Sequence, residues 1–262
     1  GESHGITGYG FYDPTFGLNR RWLIQFLEAF EEAEAMAGAW VETRLDIMNE
    51  DLITKLYDNN FFVMYGLESY NKHMLTIMNK TGNPSGYLRK FEEVYEVHKD
   101  NDLHFMINML VGHPGETRES MNETFEKLGQ MVSEDRINPF LTQNIRYYHH
   151  FPGTHVYNRP EKYQRNLGAQ AYLPRWYKEE ITLLKGAYCV RPSRSLSLRE
   201  SFALYTEKFK ELIGIHAQNV KTSKPSTFLT DAVQVKRSLK ALDDRKEELY
   251  RFLDEHSIEL EE

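Results

Sequence analysis

Four apolar segments constrain this chain most. Each closes on a polar or glycine-bearing tip, and helical periodicity separates one from the next. They cover residues 5–13, 39–44, 61–69 and 105–116. Strand then helix, repeated, predicts a parallel sheet, because consecutive parallel strands need a long crossover. The run Phe105–Val111 is almost wholly apolar, as suits a strand covered on both faces. A fifth strand is predicted over residues 141–149. The expected fold class is α/β: a partial, TIM-like (β/α) barrel of parallel strands near 5–13, 39–45, 61–68, 104–112 and 141–149, with a helical C-terminal region.

The intervening stretches carry helix signals. Asn19 is placed to cap a helix running to about Met36, with Trp22, Leu23, Phe26, Leu27 and Phe30 on one face. Further helices are predicted over 50–58, 71–79, 84–99 and from Gly115 to about Val132. Beyond Arg159 aromatic and basic residues thicken. Helices are expected near 174–189 and 197–214. A polar linker is expected over 216–227. A charged helix with one apolar docking face is expected over 231–261. The predicted division is a barrel portion, 1–159, and a mostly helical region, 160–262.

The chain has 262 residues and a formal net charge of −7, which argues against a general nucleic-acid surface. No apolar run approaches the roughly 18–20 residues needed to span a membrane. Residues 1–4 lack the basic and apolar regions that begin a secretory signal. The first residue is Gly1, so a piece of a longer protein is expected. Cys189 is the only cysteine, which excludes an intrachain disulfide and fits a reducing, cytoplasmic setting. It is expected to be a small buried hydrophobe.

Ligands of parallel sheets and barrels sit at the carboxyl ends of the strands. Those ends carry Asp13, Glu42, Arg44, Glu68, Ser69 and the turn Gly112-His113-Pro114-Gly115-Glu116. Positions two apart in a strand share a face, so Glu42 pairs with Arg44 and Gly66 with Glu68. Two carboxylates and a guanidinium meeting there would suit an amino-acid or ribose group. A Glu–Arg pair that only neutralises itself at a strand end fits the spacing equally. The glycine-bearing turn leads into a helix start, where backbone N–H groups favour acceptors. It lacks both the Walker lysine and the dinucleotide-binding glycine spacing. His149 and His150 are adjacent and would face opposite ways on a strand, so no metal is assigned to them.

In order, these segments resemble the radical S-adenosylmethionine (radical SAM) enzymes, most of all the branch with a cobalamin-binding domain ahead of the barrel. Phe11-Tyr12-Asp13-Pro14-Thr15-Phe16 is similar to the family's third-strand tip, and Val41-Glu42-Thr43-Arg44 to its fourth strand. Tyr65-Gly66-Leu67-Glu68-Ser69, with Leu75, Met78 and Lys80 following, is similar to its G-x-E-S … L-x-x-M-x-K block. Residues 111–117 resemble its G-x-P-G-E-T turn, and residues 151–157 its P-G-T-x-x-Y segment. The likeness covers residues 5–160. The family's three-cysteine cluster loop has no counterpart here.

That resemblance implies the barrel from about the third strand onward, within a parent enzyme that cleaves SAM reductively. The [4Fe–4S] ligands, and any cobalamin domain, would lie outside this chain, and the chain alone is expected to be inactive. Glu42, Arg44, Glu68 and Ser69 would position SAM. Gly112, Pro114 and Gly115 would border the adenine. Asp13 would face a small-molecule substrate. Implied partners are the N-terminal half of the parent enzyme and an electron donor for the cluster. The implied chemistry is methyl transfer with cobalamin, or ring formation. The alternatives are a tRNA-modifying relative, against which the acidic helical tail counts, and a non-catalytic barrel piece that docks a partner through its C-terminal helices.

Overall fold

A computed structural model describes residues 5, 8–13, 15–34, 37–138, 145–178, 188–222 and 232–259. Five strands form one sheet in chain order: β1 (Gly8–Phe11), β2 (Gly38–Thr43), β3 (Phe61–Glu68), β4 (Met106–Val111) and β5 (Ile145–Tyr147). Every neighbouring pair is parallel. The sheet curls into a half-barrel. The crossovers are α1 (Arg20–Glu32), α2 (Glu50–Asp58), α3 (Lys72–Ile77), α4 (Pro84–Asp100) and α5 (Arg118–Ser133). Asn19, Asn49, Asn71 and Asn83 cap the first four, each side chain accepting from the N–H three residues on. Such a cap contributes about 0.5–2 kcal/mol relative to alanine. Thr117 and Ser120 close α5 with a reciprocal capping box.

Alternation along the strands sorts the sheet into two faces. Val41, Val63, Tyr65, Leu67, Ile107, Met109, Val111 and Tyr147 are buried on the side that the helices cover. Fully burying a side chain of this size contributes about 1.5–3 kcal/mol. Trp40, Glu42, Phe62, Glu68, Asn108 and Leu110 lie on the concave face and are only half-buried. Trp40 lies over Gly10, where a Cβ would stand 2.6 Å from its indole nitrogen.

The chain continues through α6 (His155–Asn158), α7 (Pro160–Leu167), α8 (Leu198–Thr222) and α9 (Ala232–Glu255). α8 packs on α5, and α9 packs on α8. Leu198, Phe202, Leu212, Leu249, Phe252 and Leu253 join the same apolar core as the strands. Tyr205 donates to the Ile145 carbonyl at 3.1 Å, and Tyr147 and Ser201 share a hydroxyl–hydroxyl bond at 2.8 Å. Glu259 turns back to the start of α8, where its carboxylate accepts from the N–H groups of Leu198 (2.8 Å) and Arg199 (3.0 Å) and from the Tyr172 hydroxyl (2.8 Å). A carboxylate at that end suits both the unpaired donors and the helix dipole.

Several expectations from sequence are corrected. α8 runs on to Thr222, so the part of the predicted polar linker from His216 to Thr222 is helical. The remainder, 223–227, lies outside the described residues. Asn219 donates to the Val132 carbonyl at 2.7 Å, which gives that polar stretch a helical role. Of the helix predicted near 174–189, the described part holds a single tight turn, Trp176–Lys178, and residues 179–187 lie outside the described residues. Val190–Arg191 (β7) pairs antiparallel with Gln170–Ala171 (β6). Residues 141–144 of the predicted fifth strand also lie outside the described residues.

Candidate functional site

The carboxyl ends of β2, β3 and β4 converge on a half-buried cleft. Glu42 sits on β2 with its side chain on the concave face. Asn108, on β4, donates from Nδ2 to Glu42 Oε1 at 2.6 Å. Glu68 closes β3 and pairs with Lys80 (Nζ–Oε1 3.2 Å), with side-chain exposures of 30% and 17% respectively. Burial, then the Glu68 charge, raises the pKa of Glu42, while the Asn108 hydrogen bond and Lys80 oppose the rise. Two carboxylates therefore share one cation and one amide. Arg44, Glu68, Lys80, Leu110 and His113 line a single cavity of about 340 Å³.

Glu68 reaches the cleft through a break in strand geometry. The β3–β4 register shifts between Gly66 and Glu68, and Glu68 adopts φ +72°, in the left-handed region. A bulge of this kind re-aims one side chain, here at the very end of the strand. A left-handed non-glycine residue costs about 1–2 kcal/mol, and such strain gathers at functional sites. Gly66 makes room for the pair: a Cβ there would stand 3.0 Å from both Glu68 Oε1 and Lys80 Nζ. The Tyr87 hydroxyl fixes the bulge by donating to the Gly66 carbonyl at 2.6 Å.

The remaining sequence-predicted residues divide. Arg44 lies one residue past β2 and keeps the face of Glu42. Its guanidinium forms a two-point bond with Asp46 (2.9 and 2.7 Å), which holds the Asp46 carboxyl below its usual range. Ser69 is turned into the core and away from the cleft. Its hydroxyl bonds Thr124 (3.2 Å) and accepts from the Asn71 N–H (3.1 Å), tying the end of β3 to α5. Asp13 is exposed, and its Oδ1 accepts from the Thr15 N–H at 3.0 Å. The loop after β1 is also tied to β2, since the Phe16 N–H donates to the Glu42 carbonyl at 2.8 Å.

The glycine-bearing turn spends its donors internally. The Gly115 N–H donates to the Pro192 carbonyl at 2.8 Å, the Glu116 N–H to the His113 carbonyl at 2.9 Å and the Thr117 N–H to Ser120 Oγ at 2.9 Å. Gly112 (φ +73°) and Gly115 (φ +100°) are packed against apolar groups: an added Cβ would stand 2.4 Å from the Tyr147 ring or 2.5 Å from Ile77. Glu116 is buried, accepts from Ser120 Oγ, and is pushed up to about 7 by burial. Of this turn only His113 faces the cleft cavity. Its ring also lines a second cavity of about 610 Å³, with Ile77, Leu110, Tyr148, Val156 and Tyr163. The cavities share Met78, Asn79, Leu110 and His113 and so form one groove.

Sequence reasoning had missed Asn108 and given Lys80 no role. A lone polar residue inside the apolar run Met106-Ile107-Asn108-Met109-Leu110 was the available signal for the first. Among the described residues no group of three or more His, Cys, Asp or Glu is placed to hold a metal ion. Cys189 is buried, and burial pushes its thiol up to about 12. Among the same residues, no helix is long and apolar enough to cross a membrane.

No protein-family model matches this sequence, and no curated protein matches it. Among solved structures the chain is similar to a radical S-adenosylmethionine methyltransferase, TsrM, from Kitasatospora setae, determined with cobalamin and a [4Fe–4S] cluster bound. The match has a TM-score of 0.42 and 17% identity, and covers 51% of this chain and 27% of that one.

Proposed function

We propose that this chain is the SAM-binding part of a radical SAM enzyme acting on a small molecule. One observation carries the reading: Glu42, Glu68, Lys80 and Asn108 meet at the carboxyl ends of three adjacent parallel strands. The ordered sequence motifs support it. SAM offers a ribose diol, an α-ammonium, a carboxylate and a sulfonium. Two carboxylates suit the diol and the positive groups, and Lys80 suits the carboxylate. Asn108 holds the Glu42 carboxylate in place. Arg44 acts at the rim, with part of its charge committed to Asp46. When bound, SAM supplies the 5′-deoxyadenosyl group for the family's hydrogen abstraction. The residues of this chain would bind and orient it.

The described residues fit SAM but do not fit an iron–sulfur cluster. The one thiol is buried, and a [4Fe–4S] cluster is held by several thiolates. Its ligands would come from outside this chain, as would a cobalamin domain and an electron donor, and no step is assigned to them here.

The test is calorimetric titration of SAM into the full chain. Glu42→Gln and Glu68→Gln are expected to weaken binding by about tenfold or more each, as for loss of a hydrogen bond to a charged group. Arg44→Ala should weaken it less. Unchanged far-UV circular dichroism controls for folding. SAM affinity indifferent to both carboxylate variants would end this reading.

A further inference from the structure

The charge of this chain is unevenly placed. Residues 155–199 carry nine Arg or Lys against three Glu, a net +6 in a chain of net −7, which leaves −13 for the remainder. Of the cations described in that stretch, only Arg199 forms an ion pair with another described residue, Asp254. Geometry gathers the others. Arg159 precedes α7, and Lys162 and Arg165 follow at three-residue spacing on its exposed surface. Arg194 closes the end of that helix: its N–H donates to the Leu167 carbonyl at 3.1 Å, and its Nη2 to the Arg165 carbonyl at 2.6 Å. A Cβ on Gly168 would stand 2.1 Å from Arg194 Cγ, so the Arg194 stem is packed on the helix end. Arg191, on β7, donates from Nε to the Ser193 carbonyl at 2.9 Å and from Nη2 to the Arg194 carbonyl at 3.1 Å. Carbonyls of this kind fix a guanidinium and leave its charge uncancelled.

A cation at a helix C-terminus suits the helix dipole, which accounts for Arg194. It does not account for Lys162 and Arg165, whose like charges repel at that spacing. Glu161, the acid on α7, pairs with neither. Exposed rings adjoin these cations. The hydroxyls of Tyr157 and Tyr177 are bonded at 2.8 Å, and the Tyr177 side chain is 45% exposed. Composition and charge narrow what would cover this face. Of the seven described cations there without an ion pair, five are Arg, although Lys and Arg are equally frequent in the whole chain. Arg beside exposed Tyr, with few Lys, is the make-up of a protein–protein interface. A long strand of nucleic acid would run on from this patch over surface of its own sign, whereas a compact acidic segment would not.

We propose that the face made by α7, Arg194 and the adjoining Tyr177 docks an acidic segment of a partner protein. Carboxylates of that segment pair with Arg159, Lys162, Arg165 and Arg194, and an apolar side chain among them lies on Tyr177. This surface stands apart from the carboxylate cleft, and the proposal does not rest on the SAM reading.

The experiment is fluorescence anisotropy of labelled probes titrated with the full chain at low salt. The probes are a short poly-Glu peptide with one central Leu, the all-Glu peptide, and an oligothymidylate of equal charge. The Leu-bearing peptide is expected to bind most tightly, and added salt should weaken it. Arg159→Gln combined with Arg165→Gln should weaken it about fivefold, as for two partly solvated ion pairs. Lys208→Gln combined with Lys240→Gln removes the same charge from exposed pairs elsewhere and should leave the affinity within about twofold. Tyr177→Ala should bring the Leu-bearing peptide down to the all-Glu peptide. The comparison of probes on the unaltered chain needs no variant, so a misfolded variant does not spoil it. Equal weakening by the two double variants would mean that net charge alone attracts the peptide, and overturns the proposal. Tighter binding of the oligothymidylate overturns it in favour of a nucleic-acid face. A Tyr177→Ala protein that still prefers the Leu-bearing peptide overturns it, as does the absence of saturable binding by either peptide.

Discussion

Glu68 offers a stability measurement whose sign is diagnostic. In an ordinary strand, alanine is more stable than glycine by about 0.5–1 kcal/mol, because glycine loses more backbone freedom on folding. At φ +72° the ranking should invert. An Ala side chain pays the left-handed penalty of about 1–2 kcal/mol, and a Gly does not. Subtracting the entropy term leaves E68G more stable than E68A by about 0–1.5 kcal/mol. Both variants lose the Lys80 ion pair, and that pair is partly solvated and contributes about 0–1 kcal/mol, so it cancels in the comparison. Urea denaturation of both proteins, compared by midpoint at equal slope, reads the difference. Both should also lose SAM affinity, which separates what the residue does for the ligand from what it does to the backbone. An E68A protein more stable than E68G by about 0.5–1 kcal/mol, the ordinary strand ranking, would mean that β3 carries no strained residue at this position, and the bulge that aims Glu68 would have to be abandoned.

Three further outcomes are expected. Gly112→Ala adds a Cβ 2.4 Å from the Tyr147 ring at φ +73° and should destabilise by about 2–4 kcal/mol, combining overpacking with the left-handed penalty; a loss under about 1 kcal/mol in chemical denaturation would contradict it. Glu116 has its folded pKa raised from 4.5 to about 7, so the folded state holds the proton more tightly and its contribution to stability falls as pH rises through that window, by about 3 kcal/mol in all. Glu116→Gln should flatten that slope and be the more stable protein at pH 8, and an unaltered pH profile would count against it. Reconstitution with iron and sulfide should leave the isolated chain without a [4Fe–4S] cluster, since one buried thiol cannot replace several ligands, and four irons per chain with the matching charge-transfer absorption would show otherwise.

The barrel portion was legible because its signals are periodic. The almost wholly apolar run at Phe105–Val111 and Asn19 ahead of the first helix mark a strand and a helix start within single short windows. The shared face of Glu42 and Arg44 followed from two-residue spacing alone. What escaped depended on contacts distant in sequence. Ser69 reads like a cleft residue until Thr124 takes its hydroxyl. The bulge at Gly66–Glu68 leaves no trace in composition, because the residue it inserts, Leu67, is apolar like its neighbours. Helix α8 is long and partly polar, and its continuation past His216 rests on packing against α5, which sequence periodicity did not reveal. Asn108 was hidden by the rule that predicted its strand.

The contact between Glu259 and the start of α8 has a consequence for how the molecule is made. A ribosome delivers Leu198 and Arg199 some sixty positions before Glu259. Until that residue emerges, the first turn of α8 keeps two donors waiting for water or for a chance acceptor. The helix that braces the sheet through Tyr205 and Ser201 is thus completed only by a residue made some sixty positions after its start. A nascent chain that stalls early would carry an unfinished brace, and its half-barrel would open more readily to proteases than the finished one.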